Sequence, residues 1–241
     1  DDVQAVLLRL RADHQQHDVT SEQRVARNTF VRHMQLVDGW QDPVGVRVRP
    51  KEGRAGLDAV EYLSTVPLVR DFAALLGPLV ESLCEMGYAP GRDLLACTYD
   101  WRCAPSRLEQ RDAYFSRVMA DIEQLVRQNG GERCAVVCHS MGCRTAHYFF
   151  HWVERSEWGR ASGGRAWLDA HVHSFVPIGG PFLGACSGID EYLLTGDCQG
   201  LAPSVLSHSD GHIVVRSWGS FPFLFGQPQC LALQPAAAYV W

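Results

Sequence analysis

The sequence predicts an α/β protein, a parallel sheet with helices on both of its faces. Two observations carry this expectation. Segments with helical hydrophobic spacing alternate with strand-length apolar runs, the order that joins parallel strands through crossover helices. In addition, AVVCHSMGCRTAHYFF, from Ala135 to Phe150, passes from an apolar strand pattern through a serine into a helical pattern. At 241 residues the chain has ample material for a core.

Taken in order, residues 1–40 read as helical. Thr20-Ser21-Glu22-Gln23 has the form of a capping box, Phe30, Met34 and Val37 follow at helical spacing, and Asp38-Gly39 closes the stretch. Pro43, Gly45, Pro50, Gly53 and Gly56 mark a loop, in which the alternation of Val44, Val46 and Val48 suggests a short strand. Leu75, Leu76, Leu79, Val80, Leu83 and Met86 mark one face of a helix that starts near Gly77, where Pro78 is tolerated in the first turn, and stops at Gly87. Leu94 to Tyr99 is strand-length. Phe115, Val118, Met119, Ile122, Leu125 and Val126 define an amphipathic helix closed by Asn129-Gly130-Gly131. Ala135-Val136-Val137 is the core of a buried strand, and Met141, Thr145, Tyr148, Phe149, Trp152 and Val153 form the next helical stripe. Val172 to Ile178 is a further strand, stopped by Gly179-Gly180-Pro181. From Cys186 onward no further βα unit is legible. This divides the chain into an N-terminal helical and loop segment (1–56), a core portion (57–185) and a closing segment (186–241).

Composition narrows the function classes. Hydrophobic residues make up 46% and charged residues 20%, as in ordinary globular domains. A net charge of −5 argues against a nucleic-acid partner, and the apolar stretches are too short and interrupted for a membrane span. The nine cysteines include no C-x-x-C pair, and no H-E-x-x-H occurs. Buried free thiols are therefore expected rather than a metal site, and no cofactor is expected. Cys186 and Cys198 are candidates for a disulfide, which spacing alone does not decide. The chain opens on Asp1-Asp2 and closes on Tyr239-Val240-Trp241, and both ends are expected to be cuts in a longer protein.

The motif around Ser140 has the form of a nucleophile elbow, a serine on a sharp strand-to-helix turn with small residues two positions to either side. Here Cys138 and Gly142 hold those positions, so the motif is C-H-S-M-G, one glycine short of G-x-S-x-G. The backbone N–H of Met141, at the helix start, is placed to donate to a developing oxyanion. The structural alternative is that Ser140 serves only as the N-cap of the helix.

Several separate segments resemble the lecithin:cholesterol acyltransferase family, and within it the phospholipid:diacylglycerol acyltransferase branch. They are Tyr99-Asp100-Trp101-Arg102 after a strand, Asn129-Gly130-Gly131 leading into His139-Ser140-Met141-Gly142, FFHWVE from Phe149 to Glu154, and IGGPFLG from Ile178 to Gly184. Upstream, His33-Met34 with Leu36, and DPVGVRVRP from Asp42, are similar to the same branch. The resemblance runs from about Phe30 to Phe225. It implies an α/β-hydrolase-type sheet with a lid region, here incomplete at both ends. It also implies acyl transfer from a phospholipid to diacylglycerol through an acyl-serine on Ser140, forming triacylglycerol without acyl-CoA at a membrane surface. The full-length protein is accordingly expected at the endoplasmic reticulum membrane. A phospholipase or sterol O-acyltransferase on the same fold, and a non-catalytic lipid-binding remnant, are the competing readings.

The resemblance also implies what is missing. The triad Asp and His, and the second oxyanion donor, are expected outside this chain, which by itself is then expected to be inactive. Asp190, Asp197, Asp210, His208 and His212 lie in the segment that resembles the lid and are not expected to be catalytic. His139 adjoins Ser140, but neighbours on an elbow point in different directions, so it is not the expected base. Asp100 and Arg102 read as structural charges needing buried partners, with a direct role at the acyl pocket as the alternative. Trp101 and Phe182 are candidates to line an acyl channel, as is the stretch from Phe221 to Phe225, although core packing accounts for them equally well.

Overall fold

The computed structural model describes residues 21–62, 75–185 and 207–225. They belong to two compact units that interleave along the chain. One comprises Arg49–Trp101 and Pro105–Phe182, the other Asp1–Val48, Arg102–Ala104 and Leu183–Trp241.

The first unit contains helices α2 (Gly53–Glu61), α3 (Gly77–Glu85), α4 (Pro105–Asp112) and α5 (Tyr114–Gln128), strand β1 (Cys134–His139), helices α6 (Met141–Arg155), α7 (Glu157–Ala161) and α8 (Arg165–His171), and strand β2 (Val172–Ile178). The other unit contains α1 (Ser21–Met34), α9 (His208–Arg216) and α10 (Ser220–Leu224). The expected spans of α3, α5, α6 and both strands hold. Helices α2, α4, α7, α8, α9 and α10 are not among the expected elements: Gly53 and Gly56, read as loop, lie in α2, while Pro105 at the first turn of α4 and a Ser207–Asp210 capping box at the start of α9 are start signals.

β1 and β2 pair in parallel, with Val137 opposite Val176 and His139 opposite Ile178. The connection between them is α6, α7 and α8, the long crossover that parallel pairing requires. Two expected strands do not form. Leu94 to Tyr99 forms only an isolated bridge, between Leu94 and Pro90, and the Tyr114 hydroxyl donates to the Cys97 carbonyl (2.9 Å), where a neighbouring strand would offer an N–H. The Val44–Val48 alternation is broken by a turn in which Val46 N–H bonds the Pro43 carbonyl and Gly45 takes φ +77°. β1 also differs from the buried strand expected, because Val137 and Val176 stay 40% and 43% exposed side by side. That face of the sheet is uncovered among the described residues.

Phe115, fully buried on α5, is the centre of this unit's core. Its ring stacks on Tyr148 (5.5 Å) and Phe149 (5.9 Å) of α6, and Trp167 of α8 meets Phe149 edge-on (6.2 Å). The start of α5 has no capping side chain of its own at Ala113, which sits at φ +49°. Glu109 of α4 reaches across instead, accepting from the N–H groups of Phe115 (2.8 Å) and Ser116 (3.0 Å). A carboxylate there satisfies orphan donors and complements the helix dipole. Gly159 lets α7 fold back onto the end of α6, since a Cβ there would lie 2.2 Å from the Val153 carbonyl oxygen.

In the other unit, buried Arg102 closes the end of α1. It donates to the His33 (2.7 Å) and Met34 (3.4 Å) carbonyls and pairs with Asp42 (3.1 Å). Trp218, 2% exposed, donates its indole N–H to the same Met34 carbonyl (2.7 Å). Arg27 of α1 pairs with Asp210 of α9 and donates to Ser207 (3.0 Å). Burial by itself would raise the Asp210 carboxyl, but hydrogen bonds from Arg27 and Ser207 outweigh it and hold the group below its ordinary value.

Two stability measurements test this packing. Replacing Gly159 by Ala sets a methyl against backbone that no rotamer can move, and should cost about 2 kcal/mol. That lowers the melting temperature by roughly 4–8 °C, and an unchanged melting temperature would contradict the close approach. For Asp210 the depressed carboxyl contributes stability that is complete above its ordinary value of 3.8 and is lost as pH falls through the lower folded-state value. The stability advantage of the wild type over Asp210→Asn, read from urea midpoints, should therefore shrink between pH 5 and pH 3.

Candidate active site

The backbone at Ser140 departs from every regular element around it. β1 ends at His139, α6 begins at Met141, and Ser140 between them takes φ +51°, ψ −127°. A non-glycine residue in this region carries strain on the order of 1–3 kcal/mol. The turn persists because its neighbours hold it. Ser140 N–H bonds the Ile178 carbonyl at the end of β2 (2.9 Å), and the Ser140 carbonyl accepts from Cys143 N–H (3.0 Å). The side chain forms no cap hydrogen bond and is exposed. The simple N-cap role is thus not what this serine does.

The end of β2 and the first turn of α6 approach each other at Gly180. A Cβ there would lie 2.7 Å from Cys143 Cβ and 2.8 Å from the Phe182 ring. Gly180 is therefore a residue of the site that sequence reasoning passed over, reading it as a strand stop. The Cys143 thiol fills the space beside it and donates to the Cys138 carbonyl (3.3 Å). Gly142, by contrast, is not forced by crowding. A Cβ at 142 would find the Tyr99 hydroxyl at 3.9 Å and Cys138 Cβ at 4.0 Å, ordinary contacts, so Cys138 fits where the usual motif has glycine.

Beneath the turn lies Tyr99, whose hydroxyl is hydrogen-bonded to Thr145 and pushed up to about 12 by burial. Thr145 in turn donates to the Met141 carbonyl (3.2 Å). Burial also pushes the Cys138 thiol up to about 12, so it is protonated and poorly nucleophilic at neutral pH. Six free cysteines are described, of which Cys103 and Cys143 are buried while Cys84 and Cys97 are exposed, so the expectation of buried thiols holds only in part. The Cys186–Cys198 pair lies outside the described residues.

The remaining candidates separate. Phe182 is brought to the elbow through Gly180, 40% exposed, its ring edge-on to His147 (6.1 Å) and Phe175 (6.3 Å). Trp101 is 39% exposed. Asp100 is met by Arg111 of α4 (2.7 Å), which also pairs with Asp112 (2.7 Å), and Asp112 with Arg49 (2.6 Å). Asp100 and Arg102 thus both have the buried partners expected of structural charges, and Arg111, which supplies one of them, went unread in the sequence. Asp210 is engaged by Arg27 and its capping box, and Phe221 is 8% exposed against Trp218 (5.2 Å) in the core of its own unit. Asp190 and Asp197 lie outside the described residues. Among the described residues no group of three or more His, Cys, Asp or Glu side chains is arranged to hold a metal, and no helix is long and apolar enough to cross a membrane.

Comparisons with known proteins place the chain in a family. The chain is 31% identical over 190 residues to a phospholipid:diacylglycerol acyltransferase of Schizosaccharomyces pombe, covering 74% of this chain and 28% of that protein. It is 34% identical over 156 residues to phospholipid:diacylglycerol acyltransferase 1 of Arabidopsis thaliana, 64% of this chain and 22% of the relative. It is 31% identical over 157 residues to the lysosomal phospholipase A and acyltransferase of Mus musculus, 65% of this chain and 34% of the relative. The matched stretches thus span between 22% and 34% of these relatives' lengths. The profile of the lecithin:cholesterol acyltransferase family matches residues 23–236, a wider span than the sequence motifs reach, and the chain belongs to that family.

Proposed function

We propose that the full-length protein transfers a fatty acyl group from a phospholipid to diacylglycerol, with Ser140 as the nucleophile. The observation that carries this reading is the strained, exposed Ser140 at the β1–α6 turn. An N-cap serine would have no use for that conformation, whereas it presents Oγ to a substrate. The names of the Schizosaccharomyces and Arabidopsis relatives supply donor and acceptor. On this reading the chain contributes to the α/β-hydrolase sheet of a longer protein.

Ser140 Oγ adds to the donor's ester carbonyl while a base takes its proton, and the Met141 N–H donates to the oxyanion. The C–O bond of the ester breaks, the proton passes to the departing oxygen, and a lysophospholipid leaves an acyl-serine. The diacylglycerol hydroxyl then attacks that ester, its proton returns to Ser140 through the base, and triacylglycerol is released. The triad His and Asp come from outside this chain in this proposal, in keeping with matched stretches that span only between 22% and 34% of these relatives' lengths. Phe182 and Trp101 offer apolar surface for the acyl chain. Both substrates dissolve in a bilayer, which puts the enzyme at a membrane surface, in our reading that of the endoplasmic reticulum. A fluorescent fusion of the full-length protein that localises elsewhere would contradict this part.

Hydrolysis shares the first step, and the murine relative's name includes a phospholipase A activity. Full-length protein given labelled phosphatidylcholine and diacylglycerol should form labelled triacylglycerol. Free fatty acid without it would replace transfer by hydrolysis. A serine-directed fluorophosphonate should label the wild type and neither Ser140→Ala nor Ser140→Gly. The glycine variant should also melt higher, by roughly 2–4 °C for each kcal/mol of strain relieved. The 241-residue chain alone should turn over esters slower by ~10⁴–10⁶ for want of the triad, and Ser140-dependent turnover by it would refute the assignment of His and Asp elsewhere.

A further inference from the structure

Two turns beyond the elbow, α6 carries His147, His151 and Glu154. Spacings of four and three bring them to one helix face. The His147 and His151 rings stand edge to face with centroids 4.6 Å apart. An ion held by two imidazole nitrogens at about 2.0–2.1 Å each, with a roughly 90–110° angle between them, sets the ring centroids about 4.5–5 Å apart. The two rings thus stand at a separation compatible with such an ion.

The surroundings favour the same use. His151 Nδ1 is buried, makes no hydrogen bond with a described residue, and faces Glu154 Oε2 at 3.7 Å. The His151 side chain as a whole is 43% exposed. A carboxylate behind one ring nitrogen is the usual partner of an imidazole that binds metal through the other. Glu154 is itself held by Arg165 (3.3 Å). His147 is exposed.

We propose that His147 and His151 form a two-imidazole site for a first-row transition ion of the zinc type, with Glu154 orienting His151 and water in the remaining positions. Imidazole donors select zinc, copper or nickel over calcium or magnesium. The bound ion ties together successive turns of the helix that starts at Ser140. The site requires nothing of the acyl-transfer chemistry and is tested without it.

Zinc is the probe, on purified full-length protein. Diethylpyrocarbonate footprinting read by mass spectrometry should show His147 and His151 protected by saturating zinc while exposed His173 stays reactive. Zinc affinity, measured by competition with a chromophoric chelator, should fall at least about tenfold in His147→Gln and in His151→Gln, and about tenfold in Glu154→Gln. Footprinting uses the unaltered protein, so it decides the matter even if a variant misfolds. His147 and His151 reacting as fast as His173 at saturating zinc would overturn the site, and so would folded variants with undiminished affinity.

Discussion

The hydrogen bond from Ser140 N–H to the Ile178 carbonyl is the constraint on which the site rests. It joins the last residue before α6 to the last residue of β2, and so holds a left-handed serine that would otherwise relax. The bond is possible only because the two strands are parallel and in register at their ends, His139 opposite Ile178. It also brings the chain after β2 so close to α6 that only glycine fits at 180. Strand pairing, helix start and serine conformation are one arrangement, and none of the three keeps its geometry without the others.

Buried charge organises the rest. Asp100 and Arg102 stand two apart in sequence, yet each is met from a different part of the chain, Asp100 by Arg111 and Arg102 by Asp42. An ion pair this far from water contributes little net stability, but losing one partner strands the other, at a cost of about 3–5 kcal/mol. Arg102 also closes the end of α1, where free carbonyls would otherwise face the interior.

The acyl-serine proposed for this family member stands at a fork, since water and an alcohol both reach the same ester carbonyl. What decides between them is exclusion of water, a property of surface around the serine rather than of the serine. Four of the apolar side chains open to solvent in its unit, Val137, Val176, Ile178 and Phe182, belong to the end and the uncovered face of the β1–β2 pair.

The sequence by itself determined the elements whose physics is local. Periodicity located α3, α5 and α6, the apolar runs located both paired strands, and the change of period at Ser140 located the elbow. Capping and turn signals lie within a few residues of what they control, so they survive without a fold. The tertiary structure alone decided everything that depends on a partner distant in sequence. Leu94 to Tyr99 has a strand's composition, but a ladder needs a neighbouring strand and a tyrosine hydroxyl stands there instead. The capping of α5 by Glu109, the pairing of Asp100 with Arg111, and the need for glycine at 180 all arise from surfaces that meet only on folding. Even the serine divides this way. Its place between strand and helix was legible in one line of sequence, whereas its positive φ exists because Ile178, 38 residues on, holds its N–H.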